Sequence, residues 1–161
     1  MTEESPSESF IKSTVNTLIA YKYALDNKDE KSCGQHLKII DENFQKMVKL
    51  IIGKEKDPNF SLDELIRSAA KLDFPLAGLS VFSYLPVEQR KTFTHIFNGT
   101  IAYSINYAEK DCPVLDYLFK HQNIPDILIH FYDHPELAIN AGEMLRAISH
   151  HEIISRILLK E

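Results

Sequence analysis

The side chains best suited to chemistry in this chain are its seven histidines, its two cysteines and its acidic clusters. His130 and His134 stand four apart, and His150-His151-Glu152 follow, which raises a metal site. The junction Asp133-His134-Pro135 separates the first two, so they need not share a helical face. The H-E-x-x-H spacing, which sets two ligands and a base on one turn, is absent. Histidines at helix ends are more simply solvated or capping groups. Cys33 and Cys112 lie far apart without C-x-x-C spacing, and each suits a small packed hydrophobe better than a nucleophile.

No G-x-S-x-G, G-x-x-x-x-G-K-[ST] or G-x-G-x-x-G occurs, so the common nucleophile-elbow and phosphate-loop chemistries have no sequence support. The cluster Asp26-Asn27-Lys28-Asp29-Glu30 lacks the alternating acids and glycine of a calcium loop and reads as an interhelix turn with an N-cap. These residues argue for no enzyme, no cofactor and no metal. Tyr103 and Tyr107, with Tyr21 and Tyr23, are rings that could anchor a protein partner.

The elements that would position these groups are helices. With 44% apolar and 25% charged residues, and only 5 glycines and 7 prolines, the chain favours long helices over many tight turns. A net charge of −5 without a basic patch argues against a nucleic-acid surface. No apolar run reaches membrane length, and the acidic, polar start MTEESPSES is no targeting peptide. The expectation is a cytoplasmic protein with free thiols.

Ser5-Pro6-Ser7-Glu8 and Ser61-Leu62-Asp63-Glu64 read as capping boxes, the glutamate reaching back to the serine N–H. The first opens a helix to about Asp26 with Ile11, Val15, Leu18, Ile19 and Leu25 on one side. A second runs from about Glu30 to Ile52 with Leu37, Ile40, Phe44, Met47 and Ile51 in threes and fours, ended by Gly53. Pro75 and Pro86 suit first helical positions, and Leu76 to Leu85 reads as helix despite sheet-loving Val81, Phe82 and Tyr84. Phe93, Ile96, Phe97, Thr100 and Ile101 make the next stripe, then Val114, Tyr117 and Leu118 a short helix, and Ile124 to Phe131 another. Leu137, Ala141, Met144, Leu145 and Ile148 mark a helix opened by Pro135. The long helices recur at roughly the 40–47-residue period of armadillo or HEAT repeats.

Three stretches carry a family resemblance: His95-Ile-Phe-Asn98, the run Tyr117 to Ile124, and Pro135-Glu-Leu-Ala-Ile-Asn-Ala-Gly142 with Met144-Leu-Arg146 and His151-Glu152. They resemble the calcium-binding protein 39 family, also called mouse protein 25, specifically over 86–161 and by pattern over 6–85. Gly99 departs from it, standing where a second asparagine is usual. The resemblance implies an all-α, right-handed solenoid of armadillo/HEAT-like repeats that serves as a scaffold for a sterile-twenty-type kinase or pseudokinase. It also implies that the chain covers the family's N-terminal half, without the repeats expected to carry most of the docking surface. No partner-contact residue is carried over from it.

The expected organisation is a disordered tail over 1–4 and one helical-repeat domain over 5–161, with about three repeats. Asn140 and Arg146, polar residues on a long helix, are candidate groove contacts beside Tyr103 and Tyr107. The alternative to a kinase scaffold is an assembly module that forms a homodimer through its C-terminal end, where Ile153, Ile154, Ile157 and Leu158 make an apolar face needing cover. A histidine-dependent metalloenzyme in the C-terminal third is the remaining reading.

Overall fold

The computed structural model describes residues 4–53, 57–106, 117, 120–121 and 123–150. Its helices are α1 (Pro6–Asp26), α2 (Glu30–Ile51), α3 (Leu62–Lys71), α4 (Phe74–Val81), α5 (Val87–Asn106), α6 (Ile124–Tyr132) and α7 (Pro135–His150). A 3₁₀ turn, Phe82–Tyr84, extends α4. Among the described residues the only strand-like pairing is an isolated bridge from Asp57 to Phe60.

Local chemistry starts α1 and α3 as expected. The Ser5 side chain accepts from the Glu8 N–H at 3.1 Å and Ser61 from the Glu64 N–H at 3.4 Å. The reciprocal half of the first box differs: the Glu8 carboxylate meets Lys71 Nζ at 2.8 Å, tying α1 to α3. Asp29 caps α2, its carboxylate accepting from the Ser32 N–H and hydroxyl. Those two bonds hold the Asp29 carboxyl below its usual range, the hydroxyl having the larger effect. Gly53 ends α2 without a positive φ, and its N–H shares the Val48 carbonyl with that of Ile52. The left-handed residues are instead Lys28 and Asp73, at the turns before α2 and α4. Pro86 stands one place before α5 rather than in it, its carbonyl accepting the Arg90 N–H.

Packing follows the apolar stripes. Helix α1 lies against α2, α3 and α4; α2 against α5; α5 against α7; and α7 against α6. The long helices α2, α5 and α7 thus form a row, each burying its stripe on the next. Phe93, fully buried on α5, sits at the centre, its ring 5.8–6.4 Å from those of Phe74, Phe82, Phe44 and Phe97. Gly78 lets α4 approach this ring, because a Cβ there would overlap Phe93. A Cβ at Gly99 would lie 2.9 Å from Ile51 Cγ2, so its lack of side chain permits the close α2–α5 crossing. Any larger side chain there would press on Ile51 and Ile52. Phe82 stacks on Phe131 at 5.4 Å, joining α6 to the same core.

One stripe residue departs from expectation. Ile19 is 59% exposed, while Tyr21 and Ala24 are buried in its stead. Tyr21 is a core residue whose hydroxyl donates to the Tyr84 carbonyl at 3.1 Å, and burial pushes its pKa up.

Candidate functional site: the two end faces and the grooves between helices

The row of helices has two faces with no described helix packed on them. At the first, the side of α1 turned from its buried stripe meets α2 in a groove of ≈ 450 Å³. Its walls are Ser9, Lys12, Ser13, Asn16, Thr17 and His36, with Ala20 and Ile39 the apolar members. At the other, the outer side of α7 and the end of α6 frame a groove of ≈ 570 Å³. Tyr132, Ala138, Ile139, Gly142 and Leu145 line it, with Glu143, Arg146 and Ser149. Ile139 is 77% exposed and Tyr132 58%.

Gly142 shapes this second groove. A Cβ there would touch the Tyr132 ring at 3.4 Å, so the ring of α6 packs across the bare backbone of α7. Leu137, Ala141, Met144 and Ile148, on the buried side of the same helix, fix its orientation. Arg146 is exposed and lies in the groove. Asn140, half-buried, lies six residues earlier and about 120° around the helix, on a different flank. Tyr103 is half-buried, with its hydroxyl 3.4 Å from Asp63 Oδ1, so it also links α5 to α3. Tyr107, Ile153, Ile154, Ile157 and Leu158 lie outside the described residues. The structure therefore does not gather Tyr103, Asn140 and Arg146 into one patch.

A third groove, ≈ 490 Å³, runs beside α3 and carries Arg67, Lys71, Lys120 and His121 with Asp73 and Tyr117. Its charges are largely matched within the fold. Arg67 pairs with Asp63 at 2.9 Å, Lys71 with Glu8 at 2.8 Å, and His121 lies 3.5 Å from Asp73. The Tyr117 hydroxyl accepts the Leu76 N–H at 3.3 Å, and burial drives its pKa well up, so the phenol stays neutral. Beneath lies a void of ≈ 20 Å³ walled by Phe74, Phe93, Phe97 and Tyr117 among others. That is room for about one water between apolar walls, a packing gap rather than a ligand site.

The His130 and His134 rings meet edge to face at 5.3 Å. Among the described residues no three or more His, Cys, Asp or Glu side chains are placed to hold a metal ion. Cys33 is a half-buried free thiol; Cys112, His151 and Glu152 lie outside the described residues. No helix among the described residues is long and apolar enough to cross a membrane.

Sequence reasoning missed the Tyr132–Gly142 groove. The signal available was Gly142 in mid-helix four residues after Ala138, which leaves a notch on the outer side. Asn98, inside the stretch 95–98, also carries a buried side-chain oxygen with no hydrogen-bond partner.

Comparison with known proteins agrees with this architecture. A sequence model of the family described as Mo25-like matches residues 2–161. The calcium-binding protein 39-like protein of Mus musculus is 27% identical over 160 residues, covering 93% of this chain and 46% of its own length. The Homo sapiens protein of the same name has the same identity and coverage. The Mo25-like protein of Schizosaccharomyces pombe is 25% identical over 134 residues, covering 83% of this chain and 39% of its own. The chain thus spans about half the length, or less, of these curated relatives.

Proposed function

This chain belongs to the Mo25-like family, and from that premise we propose that it is a non-catalytic scaffold that binds a protein kinase or pseudokinase. The observation that carries the reading is the family match over residues 2–161, which takes in the whole row α2–α5–α7. A stack of helices with a shared core is rigid, and its outer grooves present side chains in fixed register, as a binding scaffold requires. The partner class, a sterile-twenty-type kinase or pseudokinase, is the one the family resemblance implies. We take 5–161 as a single domain acting in the cytoplasm, with Asn140 and Arg146 as contact points on two flanks of α7 and Tyr103 as a subsidiary one.

The test is direct capture. Purified chain is titrated with purified sterile-twenty-type kinases and pseudokinases, and affinity is measured by calorimetry. Asn140→Arg and Arg146→Glu are each expected to weaken binding about tenfold while leaving the helical circular-dichroism signal unchanged. A folded chain that binds none of these proteins overturns the partner class. Binding that survives both substitutions overturns the contact assignment.

A further inference from the structure

The connection from α2 to α3 ends in a short turn that bonds to itself. The Asp57 carboxylate accepts the Asn59 N–H at 2.9 Å, and the Asp57 carbonyl accepts the Phe60 N–H at 3.0 Å. Ser61, the next residue, caps α3, so the seat of Phe60 fixes where that helix begins. Phe60 is half-buried against Phe10 of α1, the rings edge to face with centroids 5.6 Å apart. Lys46 of α2 reaches the same place. Its Nζ stands 4.1 Å from the Phe60 centroid and 5.3 Å from that of Phe10. Both distances fall within the roughly 6 Å over which a ring face attracts a cation. Among the described residues no carboxylate pairs with this half-buried lysine, so the two rings are its partners.

We propose that Lys46, Phe10 and Phe60 form a charge-dependent latch that holds the end of the α2–α3 connection down on α1 and α2. The three members come from three places in the chain, α1, α2 and the turn before α3, so every contact among them ties separate elements together. The charge carries the fastening. A ring face attracts an ammonium through its quadrupole, whereas a neutral chain of similar length gains only dispersion at the same spot. An exposed ion pair would be weakened by water and salt, and the rings hold the cation without one. Removing the charge on Lys46 therefore frees Phe60 and the turn behind it, while the helices on either side stay formed. The latch is thus a local opening point at the start of α3, set by one cation on the neighbouring helix.

The experiment uses the full chain and no kinase, so its outcome is independent of the partner assignment. In the parent chain, nuclear magnetic resonance is expected to show the Lys46 ε-methylene protons displaced upfield by the ring currents of Phe10 and Phe60. The Asn59 and Phe60 amides, both bonded to Asp57, report the turn through hydrogen exchange. Lys46→Met keeps a long unbranched side chain without the charge, and is expected to speed exchange at both amides about threefold to tenfold. Lys46→Arg, which keeps the charge and stacks on rings, is expected to match the parent. Lys38→Met removes a charge from an exposed position of the same helix and is expected to leave both amides unchanged. Circular dichroism checks that each variant keeps its helices. Lys46 ε-protons resonating as in a solvated lysine overturn the latch, and so does parental exchange in folded Lys46→Met. Equal acceleration by Lys46→Met and Lys46→Arg overturns the role of charge.

Discussion

The α1/α2 groove and the α6/α7 groove lie at opposite ends of the described row of helices, and different residue types line them. Both belong to helices that bury one stripe inward with equal thoroughness: Ile11 and Leu18 on α1, Ala141 and Met144 on α7. The difference lies entirely in the outward positions. On α1 these are Ser9, Lys12, Ser13, Asn16 and Thr17; on α7 they are Ala138, Ile139, Gly142 and Leu145 between Glu143 and Arg146. Ile19 and Tyr23 are also exposed on α1, but scattered apolar residues are ordinary on a protein surface and do not form a lined groove. Inward packing holds the stack together, whereas the outward residues set what each groove presents.

The largest perturbation breaks both ends together. Phe93→Ala removes the ring on which Phe44, Phe74, Phe82 and Phe97 converge, and should cost about 3–5 kcal/mol. Denaturant unfolding would then show a much lower midpoint, with both faces lost in one transition. A local change at the first end should be smaller. Ser5→Ala removes the cap of α1 and should cost about 1 kcal/mol in the same assay.

Glycine offers a matched pair that sharpens the contrast. A Cβ added at Gly34 on α2 would meet no atom within 4 Å, and one at Gly142 would meet only the Tyr132 ring, at 3.4 Å and beyond. Alanine at either place should stabilise its helix by about 0.5–1 kcal/mol, read as a higher melting temperature. The Gly142→Ala methyl would in addition touch the Tyr132 ring and tie α7 to α6, a contact that Gly34→Ala does not make. The smallest effect is at the Asp29 cap, whose carboxyl is held below its ordinary value of 3.8. A depressed folded-state pKa stabilises the ionised form, so its contribution is present above about pH 4 and is lost as pH falls through the folded value. The melting-temperature gap between the parent and Asp29→Ala should therefore narrow on acidification below pH 3.8.

Much of the inward half of this picture was legible in the residues. Helical periodicity fixed the buried positions Leu137, Ala141, Met144 and Ile148, and the serines at 5 and 61 marked two helix starts. Local rules failed where the backbone obeys tertiary demands. Lys28 and Asp73 take left-handed conformations that glycine more often occupies, and Ile19 yields its place in the core to Tyr21. Glu8, cast as half of a capping box, is drawn across to Lys71 on α3. The α6/α7 groove was illegible for a related reason. Periodicity identifies one stripe per helix and treats the rest as solvent-facing, so it could not show that Tyr132 from one helix lies over Gly142 of the next.

The most direct test of the account is calorimetric titration of three proteins, the parent chain, Ile39→Asp and Arg146→Glu, with purified sterile-twenty-type kinases and pseudokinases. Ile39 and Arg146 are both exposed, and each lines the groove of one end. The expected result is equal binding by the parent and by Ile39→Asp, and binding about tenfold weaker for Arg146→Glu, with equal helical content in all three. Equal affinity of the two substituted chains would contradict the assignment of Arg146 as a contact point.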